Sequence, residues 1–195
     1  RTFSSAASDV YKRQPRVSIG MPVYNGDNYL REAITSLLAQ TFTDFELIIS
    51  DNASTDATQA ICEEFAAKDS RIRFFRAEQN HGASWNHGFV IDKARAPLFK
   101  LAAHDDVCLP TQLERCVAAL DANPKAQLAY TQTLMMHGDQ SSMTFYRDDV
   151  ELSVDNPAIR YGDLIHAAPP AFPIFGVVRT CLLYTSDAAD EKVRG

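Results

Sequence analysis

VSIGMPVYNG at residues 17–26 and FELIISDNASTD at residues 45–56 decide the fold of this chain. Each opens as an apolar run rich in β-branched residues and stops in a polar loop. Their spacing suits a strand–helix–strand unit, which takes about 30 residues. A further run, PLFKLAA at 97–103, ends on the acidic pair Asp105-Asp106. Hydrophobic strands thus deliver polar or acidic residues at their C-terminal ends, with helical stretches between them. In an open α/β sheet, ligands bind in the crevice outside those strand ends.

Working outward, Arg16–Pro22 reads as a central strand that Pro22 closes. Asn25-Gly26-Asp27-Asn28 carries turn and N-cap chemistry. Leu30, Ile34, Leu37 and Leu38 then share one helix face. Phe45–Ser50 is a second strand, and Ser54 or Thr55 is placed to cap a helix with Ala57, Ile61 and Phe65 inward. Arg71–Arg76 reads as a strand, Gly82–Ala94 as a helix with Trp85 and Phe89 one turn apart, and Pro97–Ala103 as the fourth strand. Pro110 suits the first turn of a helix carrying Leu113, Val117 and Leu120. Ala126–Met136 reads as a strand, Gln140–Asn156 as a loop, Asn156–Ala167 as a helix and Phe175–Arg179 as a last strand.

A chain of 195 residues is long enough for one domain and buries roughly 70% of its unfolded surface. A net charge of −6, with no basic face in the sequence, argues against a nucleic-acid partner. There is no apolar run of 18 or more residues, the length that marks a membrane span, and residues 1–15 lack the apolar core of a signal peptide. Cys62, Cys108, Cys116 and Cys181 show neither CxxC pairing nor metal spacing, so reduced thiols in a cytoplasmic protein are expected. Residues 1–14 and 181–195 lack a sustained amphipathic period and resemble peptides translated from sequencing-adapter DNA. We therefore expect one domain over 15–180, interrupted near Thr180, with a non-native or disordered tail on each side.

The strand ends suggest the chemistry. Two adjacent carboxylates facing a crevice repel each other, and a hard divalent cation is the usual relief. Mg²⁺ or Mn²⁺ held by few protein oxygens completes its shell with water and phosphates, which points to a diphosphate ligand. Acids that merely cap a helix are the plainer reading. Asp51, at the end of its strand, can accept a hydrogen bond from a base or ribose. Tyr24 can stack on a base or simply pack beside the sheet. The loop Pro22-Val23-Tyr24-Asn25-Gly26 carries neither GxGxxG nor GxxxxGK[ST], which excludes the usual dinucleotide and P-loop fingerprints. His81 and His87 lie six apart, not at the i, i+4 spacing of a helical metal pair, and read as loop or surface residues.

Together VSIGMPVYNG, AITSLLAQTFTDFELIISDNASTDAT (33–58), NHGASWNHG (80–88) and HDDVCLP (104–110) resemble family 2 of the inverting glycosyltransferases, with the GT-A fold. The resemblance covers residues 16–120, with weaker support through PIFGVVRT (173–180). It implies a Rossmann-like, mostly parallel sheet flanked by helices, with the C-terminal acceptor part of the domain missing. It also implies that Pro22, Tyr24 and Asn25 line a nucleotide pocket and that Asp51 contacts the base. Asn80, Gly82 and Asn86 would shape the loop and helix beside the diphosphate, and Asp105, with Asp106, would hold the metal. One departure stands out. The family motif commonly reads Asp-x-Asp-Asp, whereas this chain has Ala103-His104-Asp105-Asp106. His104 then either gives the nucleotide a hydrogen bond or is a plain strand-end histidine.

The implied activity is inverting, hexosyltransferase-type transfer of a sugar from a nucleotide-diphosphate donor to an acceptor hydroxyl, assisted by Mg²⁺ or Mn²⁺. The acceptor would be a glycan, a lipid-linked glycan or a protein. A carboxylate must take the acceptor's proton; the family draws it from the segment after the strand resembling PIFGVVRT, beyond Thr180. Neither Asp148 nor Asp163 has that context. The implied setting is the cytoplasm, at the inner face of the membrane if the full-length protein associates peripherally. A non-catalytic nucleotide-sugar binding domain is the alternative that Ala103 suggests. A sugar-phosphate nucleotidylyltransferase would need a glycine-rich basic loop after the first strand, and Met21-Pro22-Val23-Tyr24 is neither.

Overall fold

The computed structural model describes residues 14–137, 142–146 and 172–184. Strands β1 (Val17–Val23), β2 (Phe45–Asp51), β3 (Ile72–Arg76) and β4 (Leu98–Leu101) alternate with helices α1 (Leu30–Leu38), α2 (Thr58–Lys68) and α3 (Ala83–Asp92). Helix α4 (Gln112–Ala122) follows, then β5 (Leu128–Ala129) and a hairpin of β6 (Thr133–His137) and β7 (Ser142–Tyr146). A 3₁₀ turn at Phe172–Phe175 leads into β8 (Val177–Arg179) and the short α5 (Thr180–Tyr184).

The main sheet runs β3-β2-β1-β4-β8-β5. β1 is parallel to both β2 and β4, β2 is parallel to β3, and β8 is antiparallel to β4 and β5. Central β1 and β2 are covered on both faces, which is why they read as continuous hydrophobic runs: Val17, Ile19, Met21, Leu47, Ile48 and Ile49 have no exposed surface. Leu30, Ala33, Ile34 and Leu37 of α1, and Leu113, Cys116, Val117 and Leu120 of α4, close one core. Ile48, Val90 and Phe99 form a smaller one beneath α3. Gly20 permits this close approach, because a Cβ there would lie 2.7 Å from the Phe99 ring and 2.8 Å from Val90. The chain steps from β1 outward to β2 and β3, then returns to place β4 on β1's other side. Connections therefore leave β1 and β4 in opposite directions, which opens a crevice at their C-terminal ends.

Several expectations need correction. Residues 126–136 do not form one strand: β5 pairs with β8, the chain turns away at Tyr130-Thr131-Gln132, and β6 pairs with β7 instead. Residues 142–146 are therefore a strand within the stretch expected to be a loop. Helix α2 begins at Thr58, not at a Ser54 or Thr55 cap, and it has no side-chain cap. Ser54 Oγ is used elsewhere, accepting from the Asn25 N–H at 2.9 Å. Ala57 is exposed, and Thr58, Ile61 and Cys62 are the buried positions. Helix α1 likewise starts after Tyr29 with no side-chain cap. Pro110 precedes the Thr111 N-cap of α4, and its carbonyl accepts from Thr41 N–H at 2.8 Å. The helix expected over 156–167 lies outside the described residues, as do both tails but for a few residues.

The four cysteines are free, and burial pushes the Cys62 thiol up to about 12. Among the described residues no helix is long and apolar enough to cross a membrane.

Candidate functional site

A cavity of about 360 Å³ opens where the C-terminal ends of β1 and β4 diverge. Pro22, Val23 and Tyr24 line it from β1, and Leu101, Ala102, Ala103, His104 and Asp105 from β4 and the loop beyond. Asn52 follows β2, Asn80 and Gly82 precede α3, and Ala83, Asn86 and His87 belong to it. Phe175 reaches the cavity from the 3₁₀ turn. That turn is anchored by Lys100, a buried cation in β4 whose Nζ donates to the Phe175 carbonyl.

Helix α3 enters the site through Gly82, the N-cap, at φ +87° and without a side-chain cap. The positive φ is one that glycine adopts freely. The first N–H groups of a helix have no partner within it, so this end presents donors and a positive dipole to whatever the cavity holds. Asn86, one turn in, is 3% exposed. Its Nδ2 donates to the Val23 and Ser50 carbonyls at 3.3 and 3.1 Å, which fixes the amide, while its Oδ1 is buried without a partner.

The loop after β2 is built on Asp51 and Asn25. Asp51 is fully buried; it accepts from the Ser54 N–H at 2.9 Å and is paired with Arg76, whose Nη2 also donates to the Ser54 carbonyl at 3.1 Å. Ala53 takes φ +61° in that turn and Asn25 takes φ +51° in the facing one. Asn25 is exposed, and its Oδ1 accepts from the Thr55 N–H at 2.8 Å. Asp51 and Asn25 thus shape the neighbouring loops and are not among the residues that line the cavity.

Asp105 is exposed and faces the cavity, whereas Asp106 lies just off its wall. Although Asp106 as a whole residue is exposed, protein atoms crowding its carboxyl, and then the Asp105 charge, push its pKa up. Lys100 and His104 pull it part of the way back. Among the described residues no three His, Cys, Asp or Glu side chains cluster as a metal site. Two adjacent carboxylates, Asp106 crowded and Asp105 open to the cavity, still suit a hard cation that takes its other ligands from water and phosphate. His104 packs on the β1–α1 loop: a Cβ at Gly26 would come within 2.6 Å of its ring. Ala103, on the wall, supplies no ligand where the family motif carries an acid.

Of the residues expected from sequence, Pro22, Tyr24, Asn80, Gly82, Asn86, His104 and Asp105 meet in this cavity. Asn52, Ala83, His87, Leu101 and Phe175 were not anticipated. His87, which reads from the sequence as a loop or surface histidine, is exposed but sits in α3 on the cavity wall, with Nδ1 2.8 Å from the Ala83 carbonyl. Asn52 sits within the quoted DNASTD run, which is the one signal that pointed near it. Phe175 arrives from more than seventy residues beyond β4, so no local pattern marks it.

Residues 18–166 match the model of glycosyl transferase family 2. An uncharacterized glycosyltransferase of Rickettsia typhi is 31% identical over 154 residues, covering 78% of this chain and 47% of that protein. Among solved structures, TarS of S. aureus in complex with UDP-GlcNAc is similar at TM-score 0.64 and 22% identity, over 88% of this chain and 47% of that one. The mannosyltransferase PcManGT of Pyrobaculum calidifontis, in complex with GDP-Man and Mn²⁺, is similar at TM-score 0.63 and 17% identity, over 89% of this chain and 47% of that one. At such identities the likeness shows the fold, a GT-A sheet of mostly parallel strands between helices. The chain spans about half the length of each of these proteins.

Proposed function

The chain belongs to glycosyl transferase family 2, and from that premise we propose that it forms the donor-binding side of an inverting, hexosyltransferase-type enzyme. The observation that carries this is the cavity at the β1–β4 divergence, where an uncapped helix N-terminus and Asp105 share one space. Oriented amide donors suit the phosphates of a nucleotide sugar, and Tyr24, 45% exposed at the mouth, offers a ring for a base. The complexes of TarS with UDP-GlcNAc and of PcManGT with GDP-Man and Mn²⁺ support a nucleotide-sugar ligand by analogy of fold.

Asp105 and Asp106 would hold Mg²⁺ or Mn²⁺, which when bound supplies positive charge against the departing diphosphate. The chain's own contribution is to orient the donor between β1 and α3 and to present its anomeric carbon to the acceptor. Among the described residues that line the cavity Asp105 is the only carboxylate, so we assign the base that takes the acceptor's proton to another part of the protein. The acceptor is a hydroxyl of a glycan, a lipid-linked glycan or a protein. A cytoplasmic setting, at the inner face of the membrane if the whole protein associates with it, goes with this reading, and the free cysteines suit it.

Ala103 favours a second reading, a nucleotide-sugar binding domain without catalysis. One melting experiment probes the donor site that both readings share. UDP, GDP, dTDP and CDP are each added with and without Mn²⁺, to the wild type and to Asp105→Asn. One nucleotide should stabilise the wild type in the presence of Mn²⁺, by about 2.7 kcal/mol at a hundredfold excess over Kd. Asp105→Asn should melt as cooperatively and lose the metal-dependent part. An equal Mn²⁺-dependent shift in the variant removes Asp105 from the metal site. Transfer or hydrolysis of the matching nucleotide sugar by the complete protein then separates enzyme from binding domain.

A further inference from the structure

Asn52 is 2% exposed and lies on the cavity wall, yet every polar atom of its side chain is turned toward the polypeptide. Its Oδ1 accepts from the His81 N–H at 3.0 Å. Its Nδ2 donates to Asn80 Oδ1 at 2.9 Å and to the Gly82 carbonyl at 3.2 Å. Asn80 Oδ1 accepts in turn from the Gly82 N–H at 2.8 Å. The Asn52 backbone N–H meanwhile donates to the Val23 carbonyl at 2.9 Å, at the end of β1. One residue thus ties the ends of β1 and β2 to three consecutive residues that set where α3 begins.

We propose that Asn52 is a positioning residue for donor binding. By clamping residues 80–82 it holds the N-terminal amides of α3 in register with the ends of β1 and β4, so that they meet the charged part of a nucleoside diphosphate. This rests on the donor-site reading above. An amide is the side chain that satisfies the arrangement. Asn52 must accept from one N–H and donate to two oxygens on facing groups, which a carboxylate, having no donors, cannot do. Gly82, held at φ +87°, borders open space, since a Cβ built there would meet nothing within 4 Å. Hydrogen bonds from Asn52 reach all three residues of the loop.

Because Asn52 acts through α3, its loss should weaken diphosphate binding far more than nucleoside binding. The readout is built in: Trp85, the chain's one tryptophan, lies in the first turn of α3, with the His81 ring 4.4 Å away on one side and Phe89 stacked at 5.1 Å. Loosening the loop moves His81 relative to Trp85 and changes its emission before any ligand is added.

Binding of UDP and uridine, GDP and guanosine, dTDP and thymidine, and CDP and cytidine is measured with Mn²⁺ on the 195-residue chain, for wild type, Asn52→Ala and Asn80→Ala. Asn52→Ala should lose about tenfold in affinity for the diphosphate that the wild type prefers, the scale of one hydrogen bond to a charged group, and about twofold or less for its nucleoside. Asn80→Ala, on the exposed side of the clamp, should show the same split at smaller size, and it decides the matter if Asn52→Ala does not fold. A wild type that binds none of these nucleotides overturns the donor-site reading itself. A wild type that binds, with variants that lose nothing or lose diphosphate and nucleoside equally, overturns the role of Asn52 alone.

Discussion

The two ends of the parallel sheet are built to opposite specifications. At the N-terminal end, Glu46 of β2 is 4% exposed and fully engaged. It accepts from Ser18 Oγ at 2.7 Å, from Arg73 Nη1 at 2.9 Å, and from the Arg95 guanidinium at 2.7 and 3.1 Å. Ser18 Oγ accepts in addition from the Arg95 and Ala96 N–H groups at 3.1 and 3.0 Å. At the C-terminal end, two non-glycine residues take positive φ, α3 enters uncapped, Asn86 Oδ1 is buried without a partner, and two carboxylates adjoin. The lesson is a division of labour. One end satisfies its polar groups and holds β1, β2, β3 and the approach to β4 together, while the other carries strained turns beside the cavity and leaves unmet polarity where a ligand can meet it.

The sharpest way to break this contrast is to cut the sealed end. Glu46→Ala leaves Arg73 and Arg95 facing each other without their shared carboxylate and strips Ser18 of its acceptor. Loss of one partner in a buried, hydrogen-bonded charge cluster typically costs 3–5 kcal/mol. Arg95 is half exposed and can be rehydrated, so we expect about 3 kcal/mol, read as a fall of roughly 10 °C in Tm. A fall of less than about 2 °C would mean that the cluster only decorates the sheet edge.

How much of this was legible in the sequence differs between the two ends. The strand order of events, from VSIGMPVYNG to HDDVCLP, exposes the C-terminal end, because strand, polar stop and helix are local signals. Most of the expected cavity residues lie on those stops. Glu46 gave no such signal: it is a lone acid in FELIIS, and its partners Ser18, Arg73 and Arg95 stand 27 to 49 residues away. Asn52 was hidden for the same reason, since its bonds run to residues 80–82. The split of 126–136 between two sheets was illegible because only the pairing partner distinguishes a strand that continues from one that changes sheet. The missed helix caps were spent on loop-to-loop bonds, such as Asn25 to Ser54, that no spacing rule encodes.

A smaller effect comes from titrating Glu46 instead of deleting it. Burial raises its pKa, but hydrogen bonds from Arg95, Ser18 and Arg73 more than offset this and hold it below the usual carboxylate range. A folded-state pKa below the unfolded one means the native state binds the proton less readily. The stabilisation is therefore whole above the unfolded value, about 4.3, and is lost as pH falls through the folded one. We expect wild-type stability to decline below about pH 4 more steeply than that of Glu46→Ala. The effect is smaller than deletion because a protonated carboxyl still bonds to Ser18 and fills its space. Parallel acid limbs in the two proteins would remove Glu46 as the source.

At the open end the sign reverses and the magnitude shrinks, which makes it the finest probe of the contrast. Asp106 has its pKa pushed up by crowding of its carboxyl and by Asp105. A raised folded-state value contributes stability that is whole below the unfolded pKa and lost as pH rises through the folded one. At neutral pH the ionised pair therefore weakens the ligand-free protein, and Asp106→Asn should stabilise it. Because the carboxylates are exposed and screened, the gain is about 0.5 kcal/mol or less, and it should vanish near pH 3, where Asp106 is protonated. Adding Mn²⁺ with the preferred nucleotide should invert the ranking, since the cation then offsets the repulsion in the wild type and has one ligand fewer in the variant. Melting curves at pH 7 and pH 3, with and without metal and nucleotide, test each step. A variant less stable than wild type at neutral pH without metal would show that Asp106 belongs to the sealed, structural set, and that the division between the two ends does not extend to this carboxylate.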